Sequence, residues 1–293
     1  MPARKLLSLI CLLLSTTAQA DDQLVLAQQY QPGKSYLLSV ESVIETRHAE
    51  TDATAYSTAE IKQTYTLRTS SDTTGQTLVD VQVSSLQATI ASPDQLLKYD
   101  SANPALSPPA LQQTFGALKD KSFTLVYDAN HRFVETRDAA SDDQTPLGSQ
   151  TGMSSQQWSE AFRRLRDAPL PPHPVSPGDA WNWENQVHLP PLGDILLKGR
   201  STMEPHHPLE DKNLARLKIT GELKFSPLTS GDSSPVTISQ ASSTGTLLFD
   251  RTLAQVKSQE TVTSLTIQQN EQTFHLRQTE KVELVSVTDT PNE

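Results

Sequence analysis

Apolar and polar residues alternate along this chain with a period of two, over stretches longer than the roughly five or six residues of an ordinary β-strand. From Lys34 to His48, Tyr36, Leu38, Val40, Ile44 and Thr46 share one face, while Ser39, Glu41, Glu45 and Arg47 share the other. Leu37 and Val43 interrupt the polar side. After a polar turn at 49–55, Ile61, Gln63, Tyr65 and Leu67 oppose Lys62, Thr64, Thr66 and Arg68. The next stretch, Thr77–Ile90, starts with Val79, Val81 and Val83 in phase and continues with Leu86, Ala88 and Ile90 out of phase. A phase flip at Ser84-Ser85 predicts a β-bulge, one extra residue that bends the strand.

Between Pro93 and Lys121 the period changes. The segment LLKYDS, Leu96–Ser101, predicts a short extended piece, and Leu111, Phe115 and Leu118 behind Pro108 predict a short helix. Residues 139–152 are rich in Asp, Ser and Gly and non-periodic, which suits a linker. Ser154–Asp167 then carries Trp158, Ala161, Phe162 and Leu165 at helical spacing, ended by Pro169. A Pro-rich run, Pro169–Gly178, predicts a stiff extended link. Strands are predicted again at Ala180–His188, Ile195–Met203, within Leu209–Phe225, at Val236–Gln240 and at Gln272–Val287. In the last of these, Phe274, Leu276, Val282 and Leu284 are in phase.

One stretch occurs twice. LVYDANHRFVETRD, Leu125–Asp138, matches LLFDRTLAQVKSQE, Leu247–Glu260: each is an apolar run ending in an aromatic and an aspartate, then a turn, then a second strand. Aspartate is favoured at the first position of a reverse turn because its carboxylate accepts the turn's own amide hydrogens. The openings also match, PGKSY at Pro32–Tyr36 and PGDAW at Pro177–Trp181. The pattern predicts duplication of one β-rich unit. The expected organisation is a signal peptide at 1–20, a first β lobe at 21–138, a linker at 139–176 with a helix at 154–167, a second β lobe at 177–287 and a tail at 288–293.

The first twenty residues are what an export signal requires. Arg4 and Lys5 form the basic start, Leu6–Leu14 the apolar core, and Ala18-Gln19-Ala20 the small-x-small cleavage site. Cys11 lies inside that core without the small residues of a lipidation box. Cleavage near Ala20 would leave no cysteine, so the fold must hold by burial alone, in a bacterial periplasm or outside the cell. No later apolar run approaches a membrane span. Losing Arg4 and Lys5 reduces the basic residues from 24 to 22 against 34 acidic ones, a net charge of −12. Such a surface repels phosphate backbones, so nucleic acid is excluded as a partner.

Catalytic signatures are missing from the sequence. There is no serine elbow and no HExxH pair, and no Gly-rich loop opens a helix after a strand, so no cofactor is expected. His206 and His207, with Glu204, Glu210 and Asp211 nearby, are the one histidine cluster, and flanking prolines place it on a surface loop. Asp128 and Asp250 invite a glycosidase pair by their equivalent repeat positions, yet their turn role explains them. Trp181 and Trp183 fall on one face of a strand, where they form either a ring platform for a flat ligand or part of a core. Arg163, Arg164 and Arg166 suit the negative end of their helix.

The PG-x-x-aromatic opening, LLKYDS, the LxYD hairpin, the link into PVSPGDAW and the LLFD hairpin together resemble a family of uncharacterised secreted bacterial proteins, over roughly Gln29–Val287. That resemblance implies no activity. In the hairpin turns, Asn130–Arg132 and Arg251–Leu253, glycine is missing. By architecture, long curled strands with few helices are similar to the open half-barrels of periplasmic lipoprotein carriers, which hold an acyl chain against a concave face.

The expected fold class is therefore mainly β, with curled antiparallel sheets of the open half-barrel type, a few short covering helices and a two-lobe pseudo-repeat. The expected function is non-catalytic binding of an apolar or amphiphilic, lipid-like ligand. Tyr36, Leu38, Tyr65, Phe115, Trp158, Phe162, Trp181 and Trp183 are the groove candidates. The alternatives are an envelope structural or protein-interaction module and, further off, a glycan hydrolase.

Overall fold

The computed structural model describes residues 23–49, 57–116, 118, 122–138, 159, 162–163, 169–189, 193–206, 211–225, 237–269 and 272–290. The long alternating stretches are strands: β1 (Lys34–His48), β2 (Ser57–Ser71), β3 (Thr77–Ser92), β4 (Gln95–Asp100), β5 (Ser122–Tyr127) and β6 (Phe133–Asp138). The second half supplies β7 (Ala180–Leu189), β8 (Gly193–Met203), β9 (Leu214–Phe225), β10 (Thr237–Asp250), β11 (Gln255–Gln269) and β12 (Gln272–Asp289). One helix, α1 (Pro109–Gly116), lies between β4 and β5 behind a short 3-10 turn at Pro104–Leu106. The predicted bulge is present, since Thr64 of β2 opposes Ser85 of β3 and Tyr65 opposes Val83, leaving Ser84 as the extra residue. The short strand expected at Val236–Gln240 is continuous with the second hairpin in β10, across a register shift at Ile238/Gln240.

All twelve strands join one antiparallel sheet in the order β6-β5-β3-β2-β1-β12-β11-β10-β9-β8-β7, with β4 paired beside β3. This corrects the expected curled half-barrels. The sheet is open, β6 and β7 are its two ends, and neither half closes on itself. The two halves share this one sheet: β12 carries the chain back to its start and pairs with β1 along the full length of that strand, from Lys34↔Asp289 to His48↔Phe274. The matched segments are two meanders set side by side, β1-β2-β3-β5-β6 and β7-β8-β9-β10-β11, with β12 between them.

The repeated turns keep their equivalence. Both Pro-Gly openings place glycine in the left-handed region, Gly33 at φ 77° and Gly178 at φ 94°. Both Asp hairpins carry a register shift just before the aromatic, at Val126/Tyr127 and Leu248/Phe249. His131 (φ 59°), within the first turn, and Ala254 (φ 50°), one residue beyond Arg251–Leu253 in the second, take the positive dihedral.

Alternation gives the sheet one apolar and one polar side. On the apolar side, two clusters sit near the end that holds the Asp turns. The first gathers Tyr36, Leu38, Tyr65, Leu67, Val79, Val81, Phe123 and Tyr127, with Leu111 and Phe115 of α1. The second gathers Trp181, Met203, Leu217, Leu247, Phe249 and Val256. The segment before β1 straps them together: Leu24 bridges Val175, Leu26 is buried in the second cluster, and Tyr30 packs on Tyr36 and Tyr127 at 5.5 and 5.3 Å in the first. The strap is fixed midway, where Gln29 donates its N–H to the Ala254 carbonyl and the buried Gln255 donates Nε2 to the Gln29 carbonyl at 2.7 Å.

Candidate functional site

Most of the groove candidates lie at the filled base of the apolar face. Tyr36, Leu38, Tyr65 and Phe115 are buried in the first cluster, and the half-buried Phe162 ring meets Tyr65 tilted at 5.2 Å and Phe123 edge to face at 5.7 Å. Trp181 is buried in the second cluster and donates Nε1–H to the Pro169 carbonyl at 3.1 Å. The structure thus divides seven of the eight candidates between two clusters, and the eighth, Trp158, lies outside the described residues. Ser159, Phe162 and Arg163 are helical; the rest of the helix expected at 154–167 lies outside the described residues.

Further along the strands, away from the Asp turns, the same face changes character. On β1, β2, β11 and β12 the face residues are half-buried instead of buried, including Ile44, Ile61, Leu265, Ile267, Phe274 and Leu276. The register places them side by side, Ile44 beside Gln278 and Leu276 beside Leu265 and Thr46. At the far end His48 and Phe274 meet edge to face at 5.1 Å across the β1–β12 seam.

A polar belt separates the filled base from this half-buried region. Gln63 opposes Val40, Ser42 opposes Glu280, Thr261 opposes Glu280 from the other side, and Thr263 opposes Gln278. Most of the belt is hydrogen-bonded internally: Tyr65 Oη donates to Gln63 Oε1 at 2.6 Å, Gln278 Nε2 to Ser42 Oγ at 3.2 Å and Thr263 Oγ1 to Ser243 Oγ at 3.3 Å. Among the described residues Glu280 has no ion pair or hydrogen bond there, and burial raises its carboxyl pKa above the ordinary glutamate range. The polar face is arranged otherwise. Lys62 reaches Glu60 at 2.8 Å and Glu41 at 3.6 Å, Lys198 reaches Glu184 at 2.6 Å, and Lys281 reaches Glu283 at 3.4 Å.

Near the β7 end, Trp183 is half-buried and its ring lies over Gly199, so close that a Cβ there would sit 2.0 Å from the ring. Its Nε1 donates to Ser201 Oγ at 3.0 Å. Gly199 opposes Gly221, and together with Ser243 they floor an open groove of about 520 Å³ walled by Trp183. A second hollow of about 220 Å³ lies by the β8–β9 turn, lined by Leu24, Met203, His206, Arg216 and Arg251 among others. His207 and Glu210 of the histidine cluster lie outside the described residues.

Asp128 and Asp250 are engaged in their turns. Asp128 Oδ1 accepts from the amides of Asn130 (2.8 Å) and Arg132 (2.9 Å), and Asp250 Oδ1 from those of Thr252 (2.9 Å) and Leu253 (3.0 Å). Among the described residues no three His, Cys, Asp or Glu side chains converge as metal ligands, and no helix is long and apolar enough to cross a membrane.

Comparison with known proteins adds to the fold. No family model matches the sequence, and no curated protein matches it significantly. Among solved structures, lipovitellin, in a study of its lipid–protein interactions, superposes with a TM-score of 0.55 at 11% identity, over 90% of this chain and 26% of that one. This chain therefore spans about a quarter of that protein's length. DynF from the dynemicin pathway of Micromonospora chersina (8% identity, 89% of each chain) scores 0.21. OccK5 of Pseudomonas aeruginosa (8% identity, 89% of this chain and 99% of that one) scores 0.23. Scores that low leave both without bearing on the fold. The short motifs that resemble secreted bacterial proteins thus find no matching family, and the supported likeness is of a β-rich fold to part of lipovitellin.

Sequence reasoning missed the belt. Its signal was present in β12, where Gln278 and Glu280 fall in phase with Phe274, Leu276 and Val282.

Proposed function

We propose that this is a non-catalytic periplasmic or secreted binding protein that takes an apolar or amphiphilic, lipid-like ligand on the half-buried part of its apolar face. The observation that carries the reading is the contrast along single strands. On β1, Tyr36 and Leu38 are buried while Ile44 is half-buried on the same face, and such a surface gains free energy when something apolar covers it. The likeness to lipovitellin, whose structure concerns lipid–protein interactions, supports a ligand of that class by analogy of fold. Half-buried Phe162 packs against the first buried cluster and half-buried Trp183 against the second, and Tyr36, Leu38, Tyr65, Phe115 and Trp181 are buried members of those clusters. The test is native mass spectrometry with lipid extraction on protein purified from its own compartment. Co-purification of a stoichiometric amphiphile is expected; repeatedly empty protein that takes up no uncharged hydrophobic dye would refute the reading.

A second reading, an envelope protein-interaction module, draws on the open edges. Among the described residues β7 presents ten residues with a strand neighbour on one side, a template for strand addition by a partner. Crosslinking from β7 positions in cells, with capture of one partner at defined register, would favour it.

A further inference from the structure

We propose that Glu280, at the centre of the polar belt, anchors the cationic head of an amphiphile whose alkyl chain lies along the half-buried apolar rows towards Phe274. The inference deepens the ligand reading above and rests on it.

Glu280 sits on β12, the strand that joins the two halves, with Ser42 of β1 on one side and Thr261 of β11 on the other. From Glu280 the apolar face continues through Leu276 to Phe274, six residues or about 20 Å of strand. A head held at the belt therefore sends its chain onto apolar surface in one direction, since towards the Asp turns the face is occupied by the buried Leu38 and Leu284.

On the polar face carboxylates have cations at hand, including Glu41, Glu60, Glu184 and Glu283. On the apolar face Glu280 has neither cation nor hydrogen-bond donor among the described residues, although its belt neighbours bond to one another. A carboxylate in poor solvent without a partner is held at a cost that an arriving ammonium group removes. Its neighbours Ser42, Gln278 and Thr261 are neutral, so an anionic head meets only repulsion and an uncharged head gains only ordinary hydrogen bonds. The charge at this position selects the ligand class: an alkylammonium in preference to an alcohol, and an alcohol in preference to a carboxylate.

The experiment is displacement of bound 1-N-phenylnaphthylamine, an uncharged dye, by dodecylamine, dodecanol and dodecanoate near neutral pH. It uses the full chain, the Glu280→Gln variant and the opposite-face control Glu283→Gln. Dodecylamine should displace dye at about one-tenth the concentration of dodecanol, the discrimination of one charge-assisted hydrogen bond. Dodecanoate should be the weakest. The amine preference should fall to near parity in Glu280→Gln and persist in Glu283→Gln. Equal displacement by amine and alcohol in the unaltered protein, or an amine preference that survives Glu280→Gln, overturns the assignment and leaves the ligand reading standing. If neither the dye nor dodecanol binds, the ligand reading falls with it.

Discussion

Asp128 and Asp250 are the same turn device used twice in one sheet. Each carboxylate accepts two amide hydrogens of its own turn at 2.8–3.0 Å, each follows a buried aromatic, Tyr127 or Phe249, and each turn ends in a non-glycine residue at positive φ. Removing either carboxylate leaves two amides to find water in a strained turn. Asp128→Ala and Asp250→Ala should each lower stability by about 1.5–3 kcal/mol, the range for hydrogen bonds to a charged group. Urea titration checks this: the midpoint should fall with the slope unchanged. Replacing His131 or Ala254 by glycine should act in the opposite sense, since glycine adopts that dihedral without strain.

Leu38 and Leu284 face each other across the seam between the first and last strands, next to a register shift at Leu37/Leu38, and both are fully buried. Leu38→Ala or Leu284→Ala should each cost about 2–5 kcal/mol through lost burial and the cavity left behind. The ion pair at the end of the same seam, Lys34 Nζ to Asp289 Oδ1 at 2.7 Å, is solvent-exposed, and Lys34→Met should leave the unfolding midpoint nearly unchanged. Because the seam joins both meanders, each leucine variant should lower one shared unfolding transition, measured by far-ultraviolet circular dichroism and by tryptophan emission. Two separated transitions would mean that the halves unfold independently.

The strands were legible because burial of one face imposes a period of two, and β1 and β9 end where the alternation ends. The continuity of the sheet was not. Pairing of β1 with β12 brings together residues near opposite ends of the chain, and the middle rows of that seam, Ser42 with Glu280 and Ile44 with Gln278, offer no shared hydrophobic signal. Repeated openings at Pro32 and Pro177 therefore read as two lobes, although both lie in one surface. The strap was equally silent: Leu24–Tyr30 is too short to show periodicity, and only three dimensions place Leu26 in one cluster and Tyr30 in the other.

Trp183 covers Gly199 so closely that no side chain fits beneath the ring. Gly199→Ala should push the indole out, break its hydrogen bond to Ser201 and expose it. The variant should show a red-shifted tryptophan emission and lose about 1–3 kcal/mol of stability, as overpacked sites do. Trp183→Phe serves as the control, since it should remove the responsive emission and tolerate the alanine better. An unchanged emission spectrum in Gly199→Ala would place the ring elsewhere.

Glu280 gives the fold a pH dependence whose sign is opposite to that of acid denaturation through paired carboxylates. Its pKa is raised in the folded state by burial, and the groups facing it from β1 and β11 are Ser42 and Thr261, neither of which titrates. Between the unfolded value, near 4.5, and the higher folded value, the native protein holds a proton that the unfolded chain has released. Stability contributed by this residue is therefore greatest at low pH and declines as pH rises through that window, after which the full cost of the buried charge remains. Glu280→Gln removes the cost. The variant should melt at a higher temperature than the unaltered protein at neutral pH, and the gap should close as pH falls below the unfolded value. Lys34 and Asp289 act in the other direction at acid pH, because their pairing depresses the Asp289 pKa and its contribution disappears as that group protonates. Thermal melts of both proteins across the acid-to-neutral range, read as a difference, cancel that shared term and isolate Glu280; a difference independent of pH would show that the carboxyl is not desolvated.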